Sequence, residues 1–243
     1  MIDQQIDIPT KDGKTTTFIS HPERGGPFPI ILFYMDAPAI REELRDMARR
    51  LATSGYYVML PNMYYRSGEM ELGPINPDPE SPERKKMFAL MNSLTIPLVM
   101  EDTKALLAYA SGQKAARMDL IGTVGYCMSG QYAMNAATHF PAVKAAASMY
   151  GTRLVTDQPD SPHLVAQKTK AELYFGCAET DIYAPMETIE KIAATVKGAN
   201  AEVEIYPGTH HGFAFPKRPV YDRDAAERHW ERLLALYRRN LST

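Results

Sequence analysis

The sequence predicts an α/β protein built on a mostly parallel sheet. Apolar, strand-like runs alternate with helical patterns from about residue 29 onward. Those runs are apolar enough to be buried on both faces, as strands are where crossover helices cover a sheet. No internal repeat or low-complexity tract suggests another architecture. About seven or eight strands with helices on both faces and right-handed crossovers are expected.

The polar opening segments QQIDIPT and TTTFISH predict an antiparallel hairpin at one sheet edge. PIILFYMD then reads as a buried strand, and REELRDMARRLATSG as a helix with Leu44, Met47, Ala48 and Leu51 on one face. YYVMLPN, MDLIGTVGYC, VKAAASMYG, AELYFGCAE and AEVEIYPG predict strands; VMEDTKALLAYASG, GQYAMNAATHF and PMETIEKIAATVKG predict the helices among them. The chain ends in the helical segment AAERHWERLLALYRRNL, whose stripe of Trp230, Leu233, Leu234, Tyr237 and Leu241 is expected to pack on the sheet. Two segments resist the alternation, 64–97 and 152–170, and the first is expected to be a lid or pocket-wall insertion.

With 243 residues, 45% hydrophobic and 23% charged, residues 1–243 are expected to form a single domain. The formal charge is −2, and no basic block exceeds the doublets Arg49-Arg50, Lys85-Lys86 and Arg238-Arg239, which argues against a nucleic-acid partner. The first residues are too polar for a secretory signal, and no run approaches the roughly 18 apolar residues of a membrane span. A soluble, cytoplasmic protein is expected, with both Cys127 and Cys177 reduced.

The stretch VGYCMSG raises the chemical question. A nucleophile elbow is a strand-to-helix turn of pattern G-x-nucleophile-x-G, with small residues where strand and helix nearly touch. Here Gly125 stands two places before Cys127, Ser129 two places after it and Gly130 three. Ser129 departs from the strict pattern, since serine does not share glycine's tolerance of positive φ. An inert core thiol is the competing reading of Cys127. A reactive thiol needs a base and a carboxylate to orient that base. Asp181, in CAETDIYAP, and a histidine in THHGFAFP follow predicted strands in the order nucleophile, acid, histidine. Spacing does not separate His210 from His211, and Asp181 also fits a helix N-terminal role. The adjacent histidines lack the i, i+4 spacing of a zinc pair and neither cysteine has a C-x-x-C partner, so no metal is expected.

From about residue 5 to residue 238 the chain resembles the dienelactone hydrolase family of α/β hydrolases. GYCMSG is similar to the family's G-Y-C-x-G-G, GCAETDIYAP to its G-x-x-D-x-x-x-P, and HGFAFP to its H-[GS]-F-A. The resemblance implies the α/β-hydrolase fold, with Cys127 as nucleophile, Asp181 as orienting acid and His211 as base. It implies an oxyanion hole from the backbone N–H groups of Met128 and Ala37, and a thiol-gating role for Asp36, where family members usually carry glutamate. The family's substrate-carboxylate arginine, four residues after the histidine, is replaced here by Phe215, and Arg84 is either the match of a second arginine or a solvated side chain. Tyr64, Tyr65, Met87, Phe213 and Phe215 suggest a more apolar substrate pocket.

These readings together predict an esterase or lactonase of the carboxymethylenebutenolidase kind. It would act by two-step acyl transfer on a small-molecule ester or lactone, without a cofactor, as a monomer or weak homo-oligomer. A ligand-binding protein or a thiol redox sensor on the same scaffold are the alternatives.

Overall fold

Lys11 and Asp12 make a two-residue turn that pairs β1 (Ile2–Thr10) antiparallel with β2 (Gly13–His21), the hairpin expected of the opening segments. The computed structural model describes residues 1–76 and 78–242, and the chain divides into two units, one ending at Met118 and the other starting at Asp119.

In the first unit the strand order is β1-β2-β4-β3, with β3 at Phe28–Tyr34 and β4 at Tyr57–Pro61. β2 pairs antiparallel with β4, and β4 parallel with β3. Between β3 and β4 runs α1 (Glu42–Thr53), which buries Leu44, Met47, Ala48 and Leu51 as its sequence spacing predicts. Segment 64–97, of which residue 77 lies outside the described residues, contains α2 (Pro82–Ser93). The Ser81 hydroxyl caps α2 by accepting the Arg84 N–H at 3.3 Å, and Pro82 opens its first turn. α3 (Ile96–Ser111) begins three residues earlier than the predicted helix, because Thr95 caps it through the Leu98 N–H.

The second unit carries β5 (Ala116–Tyr126) from Asp119 onward, then β6 (Val143–Met149), β7 (Glu172–Thr180) and β8 (Ala201–His210), all parallel and adjacent in chain order. α4 (Gly130–His139), α5 (Met186–Val196) and α6 (Arg223–Leu241) complete it. Segment 152–170 forms a 3₁₀ turn at Pro162–Gln167 that packs on α4 and α5, burying Leu154, Pro162 and Val165. The eight strands are thus mostly parallel and alternate with helices, the class expected from the sequence.

α6 packs on β6 and β7 and buries Trp230, Leu233, Leu236, Tyr237 and Leu241. The Tyr237 hydroxyl also donates to the Thr123 carbonyl at 2.8 Å. The sequence reading placed Leu234 in this stripe and omitted Leu236; the structure reverses the two. The stripe centres on Leu233 and Tyr237, so one turn of 3.6 residues puts Leu236 inside its width and Leu234 at its margin. Leu233→Ala should therefore cost about 2–5 kcal/mol in urea unfolding, and Leu234→Ala markedly less. Equal losses would show that the stripe is centred elsewhere.

Candidate active site

At the end of β5 the chain turns through a 3₁₀ segment, Cys127–Ser129, directly into α4. Cys127 takes φ of 55°, a left-handed conformation that costs a non-glycine residue about 1–3 kcal/mol, and its side chain is half-buried. The surrounding glycines are needed for space. A Cβ on Gly125 would lie 2.0 Å from the Ser129 carbonyl oxygen, and one on Gly130 would lie 2.2 Å from Ser148 Oγ. Ser129 itself has φ of −91°, so the serine that departs from the sequence pattern carries no conformational penalty. From the far side, the Thr152 N–H donates to the Cys127 carbonyl at 2.9 Å and braces the turn.

Asp181 is the first residue past β7, and His211 the first past β8. His211 Nδ1 donates to Asp181 Oδ2 at 2.7 Å. The other carboxylate oxygen accepts the N–H groups of Tyr183 at 2.8 Å and Ala184 at 3.3 Å. Asp181 therefore shapes its own loop as well as holding the imidazole, whereas α5 begins beyond Pro185 and does not use it as a cap. β8 extends to His210, two residues past the predicted strand, and pairs His210 with Thr180 across a register shift in β7. His210 is exposed and His211 is turned inward, so the ambiguity left by spacing resolves geometrically.

With Nδ1 donating to a carboxylate, His211 has its buried Nε2 left for chemistry, and the Cys127 sulfur is within hydrogen-bonding reach of the ring. The ring lies edge-on to Tyr150, centroids 5.2 Å apart, and to Tyr183 at 4.9 Å. Burial by itself would lower the His211 pKa, but the nearby Cys127 sulfur and the Asp181 carboxylate outweigh it and push the value up to about 10. The second cysteine behaves differently. Cys177 is buried within β7, and burial together with the Asp181 charge pushes its thiol up to about 12. A thiol so placed is a poor nucleophile at neutral pH.

Residues 15–241 match the model of the dienelactone hydrolase family. The chain belongs to the dienelactone hydrolase family. A relative in Methylorubrum extorquens, provisionally named carboxymethylenebutenolidase, is 31% identical over 98% of this chain and 81% of its own length. One in Synechocystis with the same provisional name is 27% identical over 97% and 96%. Among solved structures, a provisionally named dienelactone hydrolase from Klebsiella pneumoniae superposes with a TM-score of 0.86 at 24% identity, covering 97% of this chain and 98% of that one. A dienelactone hydrolase-like promiscuous phosphotriesterase from metagenomic libraries gives 0.76 at 17%, covering 99% of each. The fold is that of the α/β hydrolases.

The other residues singled out by family resemblance are distributed as follows. Asp36, Ala37, Tyr64, Tyr65 and Arg84 all belong to the first unit. Asp36 is fully buried and its carboxylate accepts hydrogen bonds from Arg41 at 2.6 and 3.1 Å, so its charge is already matched. The Ala37 carbonyl accepts the buried Tyr64 hydroxyl at 3.0 Å. Tyr65 donates to Asp102 at 2.8 Å, and Arg84 lies over the Phe88 ring. In the second unit Met128 follows the nucleophile position, and its carbonyl accepts the Gln131 amide at 2.9 Å. Phe213 and Phe215 are fully buried, the latter among Tyr126, Tyr150 and the Arg218 guanidinium. Phe215 is therefore part of the aromatic core.

Sequence reasoning missed Tyr150 and Tyr183, the two rings against His211. Tyr183 sat in the quoted DIYAP stretch, and only its proximity to Asp181 hinted at a role. Among the described residues no group of three or more His, Cys, Asp or Glu side chains converges as a metal site. No helix there is long and apolar enough to cross a membrane. A cavity of about 10 Å³ lined by Thr15, Tyr34, Asn62 and Asp102 in the first unit has room for about one water and for no substrate.

The raised His211 pKa has a definite sign in stability. Its proton's contribution is fully present below pH 6.5, the group's ordinary value, and is lost as pH rises through about 10. The imidazole NMR signals of His211 should titrate near pH 10 in the wild type. In Cys127→Ala the midpoint should fall, because burial remains and only Asp181 is left to oppose it. An unchanged midpoint would show that Cys127 is not the source of the shift.

Proposed function

We propose that this chain is an ester or lactone hydrolase that works through an acyl-thioester on Cys127. The observation that carries the reading is a single buried imidazole, His211, bonded to Asp181 on one side and charge-coupled to Cys127 on the other. Membership of a hydrolase family and the strained turn at Cys127 support it.

His211 takes the Cys127 proton on Nε2 and leaves a thiolate. The thiolate attacks the substrate's carbonyl carbon, and its electron pair moves onto the carbonyl oxygen. The Met128 N–H, at the start of a helical segment whose dipole favours negative charge, is the oxyanion donor we assign in this unit. As the tetrahedral intermediate collapses, the C–O bond breaks and the leaving alkoxide takes the proton from His211 Nε2. His211, now neutral, removes a proton from water; the hydroxide attacks the thioester, and Cys127 departs as the thiolate with the carboxylic acid released. Asp181 stabilises the imidazolium and fixes Nδ1 as the donor throughout.

Cys127→Ala should lose about three or more orders of magnitude in kcat on a chromogenic short-chain ester, with Cys127→Ser retaining a fraction of the wild-type rate. Mass spectrometry of the quenched wild type should show one acyl group on the Cys127 peptide. Full activity in Cys127→Ala would overturn the assignment. The pH profile supplies a separate check. Acylation needs the His211 proton, so kcat/KM should fall as pH rises through about 10.

A further inference from the structure

Two large apolar side chains on the loop that follows Asp181 are left in solvent, and one of them, Tyr183, meets His211. Ile182 is 83% exposed and Tyr183 is 40% exposed, in a second unit whose other large apolar side chains are mostly buried. Neither is on a loose segment. Asp181 Oδ1 accepts the Tyr183 and Ala184 N–H groups, and the same Asp181 holds His211, so loop and imidazole are fixed by one carboxylate. The Tyr183 ring meets the imidazole edge at 4.9 Å between centroids. Scattered exposed apolar groups need no explanation; an adjacent pair on a loop pinned by the acid that holds His211, with one of its rings against the imidazole, does.

The chemistry proposed above indicates which part of a substrate would meet them. The acyl carbon must sit at Cys127 and its oxygen at the Met128 N–H, whereas the leaving oxygen must approach His211 Nε2 to collect its proton. Groups flanking the imidazole therefore face the alcohol portion of the ester. We propose that Ile182 and Tyr183 form the leaving-group subsite and favour esters whose alcohol portion is an apolar alkyl or aryl group. The inference rests on the proposed function and adds the side of the scissile bond on which selectivity acts.

Two ester series of matched intrinsic reactivity test it: acetates of ethanol, butanol and hexanol, and ethyl esters of acetic, butanoic and hexanoic acid. For the wild type kcat/KM should rise by about two- to four-fold per methylene along the alcohol series, the range for partial to full burial of a CH₂. In Ile182→Ser and Tyr183→Ser that slope should collapse through KM, with the acyl-chain slope kept; Tyr183→Phe should restore the alcohol slope. A flat alcohol series in an active wild type, or equal loss of both slopes in Ile182→Ser, overturns the subsite alone. No turnover of any ester by the wild type overturns the proposed function and the subsite with it.

Discussion

At Gly125 the strand and the turn that follows it pass so closely that a single methyl group would meet the Ser129 carbonyl oxygen at 2.0 Å. That approach allows β5 to stop at Tyr126 and α4 to begin at Gly130 with only three residues between. Within that short turn Cys127 takes φ of 55°. The strain is offset by packing on every side: Gly130 makes way for Ser148, Thr152 binds the Cys127 carbonyl, and Tyr126 is held by His229. His229 Nδ1 donates to the Ala226 carbonyl at 2.6 Å, so its Nε2 accepts the Tyr126 hydroxyl at 2.8 Å. α6 thereby secures the residue before the turn.

The four parallel strands of this unit show a common pattern. Cys127, Tyr150, Asp181 and His211 are each the first residue beyond the carboxyl end of β5, β6, β7 and β8 in turn. Sheets of this type place ligands at that edge because the chain leaves the hydrogen-bond ladder there and side chains can converge. Tyr150 also takes positive φ, 37°, and its N–H donates to the Gly176 carbonyl. Two neighbouring strands thus end in strained residues beside one imidazole.

How much of this was legible in the sequence depended on how local each signal is. The Gly125–Gly130 pattern could be read because contact between strand and helix forces small residues at fixed offsets. An elbow places its strain on the nucleophile position, and Cys127 carries it; Ser129, the departure from the glycine pattern, is unstrained because the chain is already right-handed at the residue that leads into α4. The choice between His210 and His211 depended on where β8 ends, and the register shift opposite Thr180 carries no marker in composition. α2 was obscured for another reason. Its Ser-Pro opening is a helix start, yet only Met87 and Leu90 are buried, too few to produce an apolar stripe. Tyr150 was beyond reach, because its position follows from a backbone angle that a tyrosine seldom adopts.

The two oxygens of Asp181 serve two masters, one shaping the loop of Ile182 and Tyr183 and the other orienting His211. Orientation of the imidazole and the shape of the loop beside it are therefore set together. Replacing this acid would leave both the imidazole and the loop in need of new support. Remodelling the loop by design would likewise succeed only where a substitute acceptor for its two amides leaves the second oxygen free. The site is in this sense indivisible at Asp181.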